Sequence, residues 1–177
     1  GEVMQAPSEA YHNLEDADLV FDPAKNAEGE EVEVTGSNFV PIEMGTDRIL
    51  RENAFRSFYK GYRQHINTMA ATYAGAVKAA TAEARARHYE SSRAMSMAGE
   101  NVPVEVYDNL VATVRKHMPA MHRYVRLRKK MLGVDELHFY DVYAPLVGDL
   151  KKSYTYETAR QMVLKAVAPL GEDYQKD

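Results

Sequence analysis

TDRILRENAFRSFYKGYRQHINTMAATYAGAVKAATAEARARH, residues 46 to 88, is the stretch whose reading decides the fold. Its apolar residues fall at Phe55, Tyr59, Tyr62, Ile66, Met69, Tyr73, Val77, Ala80 and Ala84, three or four positions apart. That is the period of one face of an α-helix. Arg48, Arg51, Arg56, Lys60, Arg63, Asn67 and Lys78 fill the positions between them. Thr46 or Asp47 can accept the orphan N–H bonds at the helix start. Unbroken, the helix would run roughly 60 Å at about 1.5 Å per residue. Gly61 and Gly75 each weaken a helix by about 1 kcal/mol relative to alanine, so either is a position where the helix could kink or break. The other segments are expected to cover the apolar stripe.

Outward from this stretch, residues 1–14 read as a short helix with Pro7 in its first turn. Residues 18–22 and 31–35 alternate apolar and polar side chains, and residues 23–29 are rich in turn formers. A β-hairpin is expected there, followed by a linker over residues 36–45. Downstream, residues 90–98 form a short helix ended by Gly99. Pro103 then opens a second long helix at its first position. Val106, Leu110, Val114, Met118, Met121, Val125 and Leu132 give that helix an apolar face, Pro119 predicts a kink, and Gly133 ends it. LHFYDVYAPLV, residues 137–147, follows neither period and reads as an aromatic loop. Thr155 caps a last helix with Ala159, Met162, Val163, Ala166 and Val167 inward, and residues 170–174 open a further element. The fold class is mainly α: a multi-helix bundle of long helices with a small N-terminal β-hairpin.

The 177 residues carry a net charge of −4 and no cysteine. An acidic balance argues against nucleic acid or an anionic membrane as partner. Without cysteine there is neither disulfide nor thiolate metal site, which fits a cytoplasmic location. No apolar run is long enough to span a bilayer, and the N-terminus lacks the basic-then-apolar order of a signal peptide. A start at Gly1 in place of Met points to a cloned or processed piece.

None of the six histidines stands in His-Glu-x-x-His, the spacing that puts two imidazoles and a carboxylate on one helix face. His117 and His122, five residues apart, point about 140° apart and read as solvated. Asp16, Asp18 and Asp22 resemble a calcium loop without its glycine and closing glutamate. Arg115, Lys116, Arg123, Arg126, Arg128, Lys129 and Lys130 read as a solvated basic face near a helix C-terminus. The aromatic loop places His138, Tyr140, Asp141 and Tyr143 within six residues. These four are the substrate-cleft candidates, because loops carry function disproportionately. Against that stands a structural reading: the tyrosines fill grooves between helices and Asp141 caps a turn. No catalytic residue and no metal ligand is assigned.

Several segments together resemble the oligoendopeptidase F-like zinc metallopeptidases. They are FYKGYRQHINTMAATYAGAVKA at 58–79, ARARHYESS at 84–92, NVPVEVYDNLVATVR at 101–115, MHRYVRLRKKMLGVDELHFYDVYAPLV at 121–147 and YTYETARQMVLKAVAPLGEDY at 154–174. ADLVFDP and GEEVEVTGSNF look like the family's hairpin region. The resemblance implies a helical fold with a deep cleft for oligopeptides. It divides the chain into residues 1–45, a short helix with hairpin and linker, and residues 46–177, a helical oligopeptidase F-type domain incomplete at its C-terminal end. It implies zinc in the full-length enzyme but none held here, since the family's zinc motif lies downstream of the segment matching PLGEDY. The expectation is a non-catalytic, cleft-flanking region of a zinc metalloendopeptidase, inactive alone. Two alternatives stay open: a stand-alone helical interaction module, and one chain of a split peptidase. In any of these the apolar surface that truncation exposes would invite association.

Overall fold

The computed structural model describes residues 4–148, 153–171, 173 and 174. Two compact units divide at Leu146, residues 1–146 and residues 147–177. In the first unit α1 (Ala6–Asn13), with Pro7 in its first turn, runs into a single π-type turn (Leu14–Asp18). Strands β1 (Ala24–Lys25) and β2 (Glu31–Val32) pair antiparallel, Ala24 opposite Val32. Four helices follow α2 (Phe39–Glu43): α3 (Arg48–Gln64), α4 (Ile66–Ala86), α5 (Ser92–Gly99) and α6 (Val104–Leu132). The second unit holds α7 (Tyr156–Val167), capped by Thr155 as its hydroxyl accepts from the Thr158 N–H at 3.2 Å. Mainly helical with one small hairpin, the architecture is the one the periodicities predict.

Asp47 starts α3. Its Oδ1 accepts from the N–H groups of Ile49 and Leu50, and its Oδ2 accepts from Ala27 N–H in the hairpin turn. Asn53 donates to the Lys25 carbonyl and Ser57 to the Asp22 carbonyl. One face of α3 thus supplies the partners that so short a hairpin cannot supply for itself. The paired strands are shorter than expected and displaced from residues 18–22. Leu19 and Phe21 instead lie along α3, where their side chains meet Gly61. Residues 36–45 are not all linker either, since α2 lies within them.

The long helix does break, but at His65 (φ −110°, ψ 13°) and not at a glycine. Gly61 and Gly75 are contact points. A Cβ on Gly61 would lie 2.8 Å from a Phe21 ring carbon, and one on Gly75 would lie 3.0 Å from Pro7 Cγ. Phe21 stacks on Phe58 at 4.6 Å, so moving its ring aside would disturb that stack. Gly61→Val is therefore expected to destabilise the chain by about 2 kcal/mol through overpacking. Equal or higher urea midpoints for the variant would refute that reading.

The core differs from the predicted stripe. Ala24, Val34 and Ala54 form its centre, with Phe21, Ile42, Leu50 and Phe58 packed around them. On α3 the buried residues are Arg51, Ala54, Ser57 and Gly61, whereas Tyr59, Ile66, Tyr73 and Val77 keep much of their surface. The correction has a physical cause. Small residues let the hairpin approach the helix backbone, so the large apolar side chains flank the contact. On α6 the expected face is open as well: Val106 (52%), Leu110 (60%) and Met121 (56%) are more than half exposed. Pro103 serves as the N-cap residue, and α6 continues through Pro119 to the left-handed Gly133 (φ 65°). Arg115 there loses one helical donor to its carbonyl but remains exposed, where water can replace that bond. On α7, Met162 and Val163 are exposed and not inward.

Candidate functional site

The 137–147 stretch is a turn clasped by arginines. Phe139–Asp141 form a single 3-10 turn, and the Asp141 carboxylate accepts from the His138 N–H at 3.1 Å, closing it. Arg48 and Arg51, three residues apart on one face of α3, converge on the same carboxylate. Arg48 donates Nε to Oδ1 and Nη2 to Oδ2, both at 3.0 Å, and Arg51 donates Nη2 to Oδ1 at 3.2 Å. Such fork-to-fork pairing fixes direction as well as distance. Arg51 also donates to the carbonyls of Tyr140 and Gly45. From α6, Arg128 donates Nη2 to the carbonyls of Asp141 and Ala144 and Nη1 to the Tyr124 hydroxyl. Its Nε–H is buried without a hydrogen-bond partner among the described residues.

Asp141 has no exposed surface. Burial alone would raise its pKa, but the hydrogen bonds from Arg48, His138 N–H and Arg51 outweigh that and hold the carboxyl below its usual value. Tyr140 is buried beneath the Arg48 guanidinium, 5.2 Å from its ring centre, with the Phe55 ring at 5.8 Å. Burial and the neighbouring Glu52 charge push the Tyr140 hydroxyl up. Arg56 foremost, and the Tyr140 hydroxyl to a smaller extent, hold the Glu52 carboxyl below its usual value. His138 stacks on Tyr140 at 5.0 Å and stays half open to solvent. Tyr143 is likewise half exposed.

Beside the clasp, α3 and the turn enclose a groove of about 500 Å³. His138 and Tyr140 line it together, while Asp141 and Tyr143 do not. The sequence reading missed Phe55, Arg56, Tyr59, Lys60, Arg63 and Phe139, which line it too. Arg56, Lys60 and Arg63, at i, i+4 and i+7, carried the available signal. Arg128 was also misplaced: grouped with a solvated basic face, it is the buried member of that run. Among the described residues no three His, Asp or Glu side chains gather as a metal set. The zinc implied by the resemblance finds no fit in these residues. Nor does any helix among them have the length and apolarity to cross a membrane.

The helical frame around this groove is one that solved peptidases share. The oligoendopeptidase-F structure from Enterococcus faecium superposes with a TM-score of 0.83 at 38% identity, over 99% of this chain and 33% of that one. Oligopeptidase PepF of Bacillus subtilis is 44% identical over 173 residues, 98% of this chain and 26% of that protein. Group B oligopeptidase PepB of Streptococcus agalactiae is 40% identical over 175 residues, 99% of this chain and 29% of that protein. The model for Peptidase family M3 matches residues 43–177. This chain belongs to Peptidase family M3, and it spans between a quarter and a third of the length of these relatives.

Proposed function

We propose that this chain is a cleft-flanking helical region of an oligoendopeptidase F-like zinc metalloendopeptidase, acting on oligopeptides in the cytoplasm and supplying no catalytic group itself. The supporting observation is a match that keeps its order along nearly all of the chain to oligopeptidases, combined with a sequence lacking His-Glu-x-x-His. In the complete enzyme a bound zinc would supply the Lewis acidity for peptide hydrolysis. The residues here would bind and orient. His138 and Tyr140 present an aromatic surface to the peptide, and Asp141 acts indirectly by holding the turn that carries them. Tyr143 would meet substrate from outside the groove.

A zinc-supplemented assay on the 177-residue chain, its intact mass verified, tests the non-catalytic assignment with a quenched fluorescent oligopeptide. No turnover above a heat-inactivated control is expected. Zinc-dependent cleavage that survives repurification would overturn it. A second reading, an interaction module, draws support from the open apolar face of α6. Light scattering separates the two: concentration-dependent self-association through that face would favour the module.

A further inference from the structure

We propose that the groove between α3 and the 3-10 turn is a carboxylate subsite, taking a peptide carboxylate beside an apolar or aromatic side chain. The assignment rests on the cleft-flanking reading above and adds a ligand chemistry to it.

Charge on the groove's rim is the first reason. Arg56, Lys60 and Arg63 line one side in successive turns of α3. Arg56 donates Nε and Nη2 to one oxygen of Glu52, and Lys60 pairs with Asp22. Arg63 is exposed, and among the described residues its guanidinium has neither ion pair nor side-chain hydrogen bond. Across the groove the half-exposed His138 has Glu136 at 3.9 Å. Each of these carboxylates faces a basic neighbour of its own, and Arg63 is left over. An incoming carboxylate therefore meets a cation that no internal anion satisfies.

Shape is the second reason. At about 500 Å³ the groove has the size of a small-ligand site. Its walls include Phe55 and Tyr59 from α3 and Phe139 and Tyr140 from the turn. Phe139 is 80% exposed, although Tyr140 and Asp141 beside it are buried. The arginine clasp fixes the turn backbone on both sides of that ring, so the ring is offered to solvent from a rigid base. Little ordering entropy remains to be lost on binding. A bare inorganic anion would use the cations and leave the aromatic walls wet. A carboxylate next to an apolar side chain uses both.

Calorimetry on the 177-residue chain at low ionic strength tests this directly and needs neither zinc nor cleavage, so its failure is separable from failure of the peptidase reading. The probes are four acetylated tetrapeptides related to Ala-Ala-Phe-Glu. One is the free acid; one is the C-terminal amide; one is the free acid with Gln replacing Glu; one is the amide with Gln and has no carboxylate. Peptides with a carboxylate are expected to bind, and the single-carboxylate form that retains binding shows whether side chain or chain end is taken. Arg63→Gln, which removes no internal contact, should weaken that binding about fivefold, the upper end for an exposed ion pair. Lys116→Gln, on exposed α6, should leave it unchanged. Equal binding of the carboxylate-free amide, indifference to Arg63→Gln, or no binding by any peptide would overturn the proposal.

Discussion

Asp141→Ala is expected to lower the unfolding free energy by about 3–5 kcal/mol, the usual result of removing one member of a buried ion pair. The loss exceeds that of the hydrogen bonds, because Arg51 stays in place, 4% exposed, with its charge uncompensated. Urea unfolding at neutral pH measures it, and a shift below 1 kcal/mol would show that the clasp is incidental. Asp141→Asn keeps the shape and removes the charge, so it isolates the pH dependence. The folded-state pKa of Asp141 lies below its ordinary value. Its contribution is therefore complete above the unfolded pKa, near 3.9, and fades as pH falls through the lower folded value. Asp47, lowered chiefly by the Ala27 N–H, acts in the same direction. Glu43, raised by burial, acts in the opposite one. In a series of urea midpoints from pH 6 to pH 3, the unmodified chain should lose more stability than Asp141→Asn does. Parallel curves would remove Asp141 from the acid limb.

Phe58→Ala should cost about 3 kcal/mol, at the lower end for aromatic truncation because the ring is only partly buried. Phe58 joins two elements to α3. Its ring stacks on Phe39 of α2 at 3.9 Å and on Phe21 of the extended segment at 4.6 Å. Truncation leaves both neighbours without their stacking partner and opens space beside Ala54. Hydrogen exchange should quicken in β1 and α2, which pack against this ring, and in β2, which pairs with β1. It should change least at the 3-10 turn, whose arginine contacts do not include Phe58. Uniform quickening throughout the first unit would mean that the ring serves global stability alone.

Which residues of the site could be read in advance follows from what periodicity reports. His138, Tyr140, Asp141 and Tyr143 stood out as candidates because polar aromatics crowd a segment with no regular period. Their different contacts were not legible, since 93 and 90 positions along the chain separate Asp141 from the Arg48 and Arg51 that pair with it. Arg128 was hidden for a related reason. Its neighbours Arg126, Lys129 and Lys130 have the same chemistry, and only the carbonyls of Asp141 and Ala144 set it apart. Of the groove, the α3 cations were visible as a helical series, but a groove needs a second wall.

The sequence by itself determined the long helices, a polar cap at residue 46 or 47, the Thr155 cap, the stop at Gly133 and the presence of a hairpin. All of these arise from interactions among residues close along the chain. Tertiary structure alone decided that Gly61 and Gly75 are contacts instead of breaks, that the long helix divides at His65, and that Asp141 lies beneath three guanidinium groups. Each of those outcomes depends on which distant backbone comes within a few ångströms, and local spacing does not encode that.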